Sequence, residues 1–131
     1  MTDHPLRHII EACDRAITAR DYDSLMYHYA DDAALVIRPG QIVRGKDRIR
    51  QAFAAIAAHS DHKLVVTQGE MQVIEGAGTA LVIMETHLDI PAGDTTQQIT
   101  RRATYVFRHD PDGQWRCTVD NSYGTDLLNP A

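Results

Sequence analysis

Residues 104–124 read "TYVFRHDPDGQWRCTVDNSYG", and how this stretch divides decides the fold. Its flanks are rich in aromatic and β-branched residues, and the "HDPDG" between them is hairpin chemistry. The spacing therefore predicts two long strands, 97–109 and 114–123, joined by a tight turn. The pattern continues upstream. Residues 79–90 and 64–74 are again strand-like, and the separators "PAGD" and "EGAG" are again turns. From Lys63 onward the chain reads as a meander of four long strands.

The first half is helical. Leu6, Ile9, Ile10, Cys13 and Ile17 recur at helical spacing over 5–19, with Asp3 or His4 before Pro5 as the start signal. "RDYDS" breaks that helix and offers Asp21 and Asp23 as N-caps for a short second one, whose apolar face is Leu25, Met26 and Tyr29. Asp31 and Asp32 are expected to end it in solvent. "AALVIR" then has the β-branched run of a strand, and "PGQIVRG" reads as a turn and a second short strand. A third helix is predicted after Gly45, with Ile49, Ala52, Phe53 and Ile56 on one side. Helices first and a meander afterwards define an α+β class, with helices packed on one face of a curved antiparallel sheet.

Composition narrows the function. At 131 residues the chain is one domain, 1–131, with enough length for a core. A net charge of -5 supplies no basic footprint for nucleic acid or an anionic membrane. No signal-peptide pattern opens the sequence, and no window nears the roughly 18 apolar residues of a membrane span. Cys13 and Cys117 lie far apart in apolar patterns, which suits two reduced thiols in the cytoplasm. His4 and His8 stand at i, i+4 without a third metal ligand, and His59 and His62 flank a loop; all four are read as solvated, with no metal site. "GKD" at 45–47 lacks the upstream glycine of a phosphate loop, and Gly-x-Ser-x-Gly is absent. Met26, Met71 and Met84 read as core filler, and no cofactor is implied.

Two stretches carry a family resemblance. "ARDYDSLMYHYADDAALVIRPGQIVRGKDRIRQAF" (19–53) resembles the helix, "ADDA" strand entry, turn and following helix of the nuclear transport factor 2-like superfamily. Residues 104–124 resemble its last hairpin. The superfamily includes SnoaL-like proteins and ketosteroid isomerase. The resemblance implies a cone-shaped, cystatin-like curved sheet with the three N-terminal helices on its concave face. It also implies positions for the isomerase's working groups, and these fall on Ile37 for the base and on Cys13 and Ala103 for the two oxyanion donors. None of the three has the required chemistry, so steroid isomerisation is not expected. Around "GQWRCTVDNSYG" the chain is also similar to the calcium/calmodulin-dependent protein kinase II association domain, which makes a non-catalytic binding or oligomerisation module the alternative. Fold alone does not choose between them.

A different polar set is expected at the cone. Strand alternation groups Leu81, Ile83, Glu85, His87 and Asp89; then Arg101, Ala103, Tyr105 and Phe107; then Trp115, Cys117, Val119, Asn121 and Tyr123. The resemblance turns the faces of Ile83, Ala103 and Val119 inward. Ligand-binding positions are then Tyr29, Ile37, Ile83, Arg101, Ala103, Val119, Asn121 and Tyr123, and the candidate catalytic groups are Glu85, His87 and Tyr105. Glu85 and His87, at i and i+2, would pair as orienting carboxylate and general base. An apolar pocket with a few convergent polar groups suits a small apolar ligand, and an acid/base enzyme acting on a carbonyl compound is one reading. The opposite face, with Val82, Met84, Thr86, Thr104, Val106 and Arg108, is expected to make a homodimer contact.

Overall fold

Pro5, with no N–H to lose, starts the first helix, and the His4 ring accepts from Leu6 N at 3.1 Å as its cap. In a computed structural model, which describes residues 4–59 and 65–128, this helix is α1 (Pro5–Ala19). It is followed by α2 (Tyr22–Tyr27), β1 (Tyr29–Arg38), β2 (Gln41–Arg44) and α3 (Lys46–His59). Then come β3 (Val65–Gly76), β4 (Thr79–Ala92), β5 (Thr95–His109), β6 (Trp115–Asn121) and a 3-10 turn at Gly124–Leu128. Asp3 and His62 lie outside the described residues. His4 is not simply solvated, since its Nε2 meets Glu75 Oε2 at 2.8 Å.

Asp21 caps α2 by accepting from Ser24 N, as its spacing suggests. The end of α2 differs from expectation. The helix stops at Tyr27, and Asp31 and Asp32 lie inside β1 rather than at a helix terminus. Cys117 N donates to His28 O at 2.8 Å, so the chain has joined the sheet before it reaches Asp31. Both carboxylates are exposed, and Asp31 stands 3.4 Å from Lys46 Nζ. Such an exposed pair contributes little to stability.

The six strands form one curved sheet in the order β2-β1-β6-β5-β4-β3, every pair antiparallel except β1 with β6. Helices cover its concave face. Leu6, Leu25 and Ile49 from the three helices are 0 % exposed and belong to one buried core with Ala80, Val82 and Met84. Burying each such side chain contributes on the order of 2 kcal/mol. Further along the same face of β4, Thr86, Leu88 and Ile90 border a cavity.

Two bulges decide which side chains face inward. In β3 the register with β4 shifts between Gln68 and Met71, so the inward set passes from Val66 and Gln68 to Met71 and Val73. In β6, Cys117 pairs with Phe107 and Val119 with Val106, which leaves Thr118 as the extra residue. Because side chains alternate strictly, one inserted residue exchanges the two faces of the strand beyond it. Cys117 points inward before the bulge, and Asp120 points inward after it. Among the described residues no helix is long and apolar enough to cross a membrane.

Candidate active site

The cavity, about 270 Å³, lies between α1, α3 and the concave sheet face. Apolar walls come from Ile10, Ile17, Phe53, Ile56, Val66 and Leu88. Two carboxyls stand among them, Asp14 on α1 and Asp120 on β6.

Asp120 is 8 % exposed, and Tyr29 Oη donates to its Oδ2 at 2.5 Å. Tyr105 is its cross-strand neighbour. Loss of water disfavours the charged form and pushes the carboxyl up to about 6, while the Tyr29 hydrogen bond pulls it back. Among the described residues no protein donor reaches Oδ1, which leaves that oxygen to the cavity.

Asp14 sits on the apolar stripe of α1. Burial pushes it up to about 7 and the charge of Asp120 adds to that, while the Gln68 amide and Arg15 act in the opposite sense. Gln68 Nε2 acts on this carboxyl across a gap, for it makes no hydrogen bond of ordinary geometry. Gln68 Oε1 accepts from Thr86 Oγ1 at 3.1 Å, and Thr86 Oγ1 is 3.4 Å from Tyr105 Oη. Burial holds the Tyr105 phenol, like Tyr29, in its protonated form. Cys13 and Cys117 also line the cavity, as free thiols pushed up by burial, and are poor nucleophiles. The site thus offers two carboxyls that titrate near neutrality, one aligned by a phenol, in a mostly apolar enclosure. That combination suits proton transfer.

Tyr29, Ile37, Arg101, Tyr105 and Tyr123 line this cavity, as the sequence suggests. Ala103 shares the inward face but is 0 % exposed and packs in the core. Ile83, Glu85 and His87 are corrections: Thr86, Leu88 and Ile90 take the inward positions of β4, so the odd-numbered residues lie on the outer face, and Ile83 is 40 % exposed. The pairing of Met84 with Ala103 requires this parity, since directly paired residues share a face. Glu85 and His87 pack over Gly69, where a Cβ would meet His87 Nε2 at 2.8 Å. His87 Nδ1 is 3.1 Å from Thr100 Oγ1, and no hydrogen bond joins it to Glu85 among the described residues. Val119 and Asn121 are also corrections, turned outward by the Thr118 bulge. Asn121 Nδ2 bonds Thr104 Oγ1 and Gly124 O, each at 3.1 Å. The expected dimer face is likewise a mixture, with Val82, Met84 and Thr86 inward and Thr104, Val106 and Arg108 outward.

The sequence reading missed Asp14 and Asp120. Asp14 has a signal, a lone carboxylate between Ile10 and Ile17 on an otherwise apolar helix stripe. Asp120 has none that alternation alone can reveal, because the bulge reverses its side.

A family model described as a SnoaL-like domain matches residues 6–119. No curated protein matches the chain. Among solved structures, Aln2 from a Streptomyces species superposes with a TM-score of 0.82 at 14% identity, covering 98% of each chain. A protein from Shewanella frigidimarina proposed to be a ketosteroid isomerase gives 0.75 at 17% identity, over 90% of this chain and 94% of that one. A proposed dehydratase of the nuclear transport factor 2-like family from Streptomyces avermitilis gives 0.70 at 20% identity, over 88% and 91%. At these identities the likeness establishes the fold.

Proposed function

Because the chain belongs to the SnoaL-like domain family, we propose that it binds a small apolar carbonyl compound in its cavity and moves a proton on it by acid/base catalysis. Asp120 is the base and Asp14 the acid. The observation that carries this reading is the Asp120 carboxyl, 8 % exposed, held by Tyr29 Oη at 2.5 Å and bordering the cavity.

The chemistry follows from the two environments. Near neutral pH, Asp120 is largely ionised and takes a proton from the carbon beside the carbonyl, with Oδ1 as the accepting atom. Negative charge then develops on the substrate oxygen. Asp14, which keeps its proton to higher pH, donates to that oxygen. Tyr29 prevents the Asp120 carboxyl from turning away. Ile37 and Cys13 also border the cavity, without the donors and base that a ketosteroid isomerase would need there.

The test does not require the product to be identified. Apolar ketones are incubated in deuterium oxide and deuterium uptake beside the carbonyl is followed by mass spectrometry. The parent chain is expected to accelerate uptake for at least one compound, and Asp120→Asn to slow it by about 100-fold or more. Equal rates for parent and variant would sink the assignment.

The alternative, an assembly module, draws on the outer sheet face. Ile74, Leu81, Val106 and Val119 are successive cross-strand partners and make an apolar row across β3 to β6, with Ile74 54% and Leu81 37% exposed. We propose that this row joins two copies in a homodimer, which leaves the cavity free, and that the free thiols of Cys13 and Cys117 suit the reducing cytoplasm. Light scattering is expected to give twice the chain mass, and Leu81→Glu to return the monomer. A monomeric parent would remove the proposal.

A further inference from the structure

Arg101 is a cation at the cavity wall with no anion beside it among the described residues. Its Nε is buried and makes no hydrogen bond, and among the described residues no carboxylate pairs with it. Such an arrangement costs stability unless something else completes it. The two cavity carboxyls do not serve. Arg15 is the cation that acts on Asp14, and Tyr29 is the donor that acts on Asp120.

The guanidinium is held in place. It stacks over the Tyr123 ring, 4.1 Å from the centroid. Tyr123 in turn is fixed at both ends, its Oη donating to Ile37 O at 3.0 Å and its N donating to Asn121 Oδ1 at 3.1 Å. A guanidinium stacked by its face, with Nε enclosed, keeps its terminal Nη edge available, and that edge matches the two oxygens of a carboxylate.

We infer that Arg101 is an anion-binding residue, so that the apolar carbonyl compound carries a carboxylate, which Arg101 holds while the reacting carbon lies toward Asp120. This rests on the function proposed above and adds the substrate class. A phosphate fits less well, because a dianion would be repelled more strongly than a carboxylate by the ionised Asp120 within the same enclosure. The role of Arg101 is to select and orient; it takes no part in the proton transfer.

The test compares an acid with its neutral near-isostere, hydrocinnamate and hydrocinnamamide, by titration calorimetry and methyl spectra of Ile37 and Ile90. The parent chain at about pH 6, where the acid is ionised, is expected to bind hydrocinnamate about tenfold or more tighter than the amide. In Arg101→Gln the acid should fall to the level of the amide, and the amide should be unaffected. Arg101→Lys, which keeps the charge and loses the fork, should lie between. Equal binding of acid and amide by the parent, with both shifting the Ile37 and Ile90 methyls, would overturn the inference while leaving the pocket reading standing. A preference for the acid that survives in Arg101→Gln would overturn it too. Failure of both molecules to shift those methyls would remove the pocket reading and this inference together.

Discussion

Asp120→Asn is expected to stabilise the folded chain by about 2–3 kcal/mol at pH 8 and to change it little below pH 4. The folded carboxyl, at about 6, lies above the value of 3.8 for an unburied Asp. A raised folded value means that the native state holds its proton more tightly than the unfolded chain does. Below about pH 4 both states are protonated and burial costs little. As the pH rises from about 4 through 6, the unfolded chain ionises freely while the native one must place a charge in a dry wall. The cost is fully present above about pH 7, and a neutral Asn removes it while still accepting from Tyr29. Urea denaturation at the two pH values measures the difference. A variant less stable at pH 8, or a gain independent of pH, would refute it. The same substitution is the one expected to slow deuterium uptake, so stability and activity should move in opposite directions.

Gly124→Ala is expected to lower stability by about 3 kcal/mol or more, on the order of 10 °C in Tm. Gly124 has φ +55, and a Cβ there would lie 1.9 Å from the carbonyl oxygen of Arg102, a backbone atom that cannot swing aside. The 3-10 turn must then lift from β5, taking with it the Asn121 bond to Gly124 O and the setting of Tyr123. Gly40→Ala serves as the control. Gly40 has φ +82 but open space around it, so only the roughly 1 kcal/mol of left-handed strain should appear. Similar losses for the two variants would show that φ alone matters and the close approach does not.

Much of the fold is written in local chemistry. Pro5 and His4 start α1, Asp21 starts α2, and the "HDPDG" turn is tied by Arg116 to Asp110 and Asp112, each at 3.0 Å. These signals act within a few residues and need no tertiary context. The cavity is legible in part. Tyr29, Ile37, Arg101, Tyr105 and Tyr123 fall on it. Glu85 and His87 do not, although the alternation of Glu85, His87 and Asp89 against Thr86, Leu88 and Ile90 already marks the even-numbered residues as the apolar side. Residues 81–84 are apolar on both sides, and orienting the strand through Ile83 reversed it. Val119, Asn121 and Asp120 are different. Their sides depend on a register shift at Thr118, which leaves no mark in composition because almost any residue can occupy a bulge.

That bulge separates the count along the chain from the place in the wall. Deleting the single codon for Thr118 would leave Cys117 opposite Phe107, Val119 opposite Val106 and Asp120 opposite Tyr105 in unbroken alternation, so the carboxyl would stay beside Tyr29. A later insertion would restore the bulge, again without turning the acid. The acid could therefore persist in a lineage through a three-base slip, while its distance from the cysteine changed by one residue. Relatives should for this reason be matched by which residue faces Tyr105 across the ladder. A relative carrying the aspartate one step nearer the cysteine has lost the bulge and kept the base.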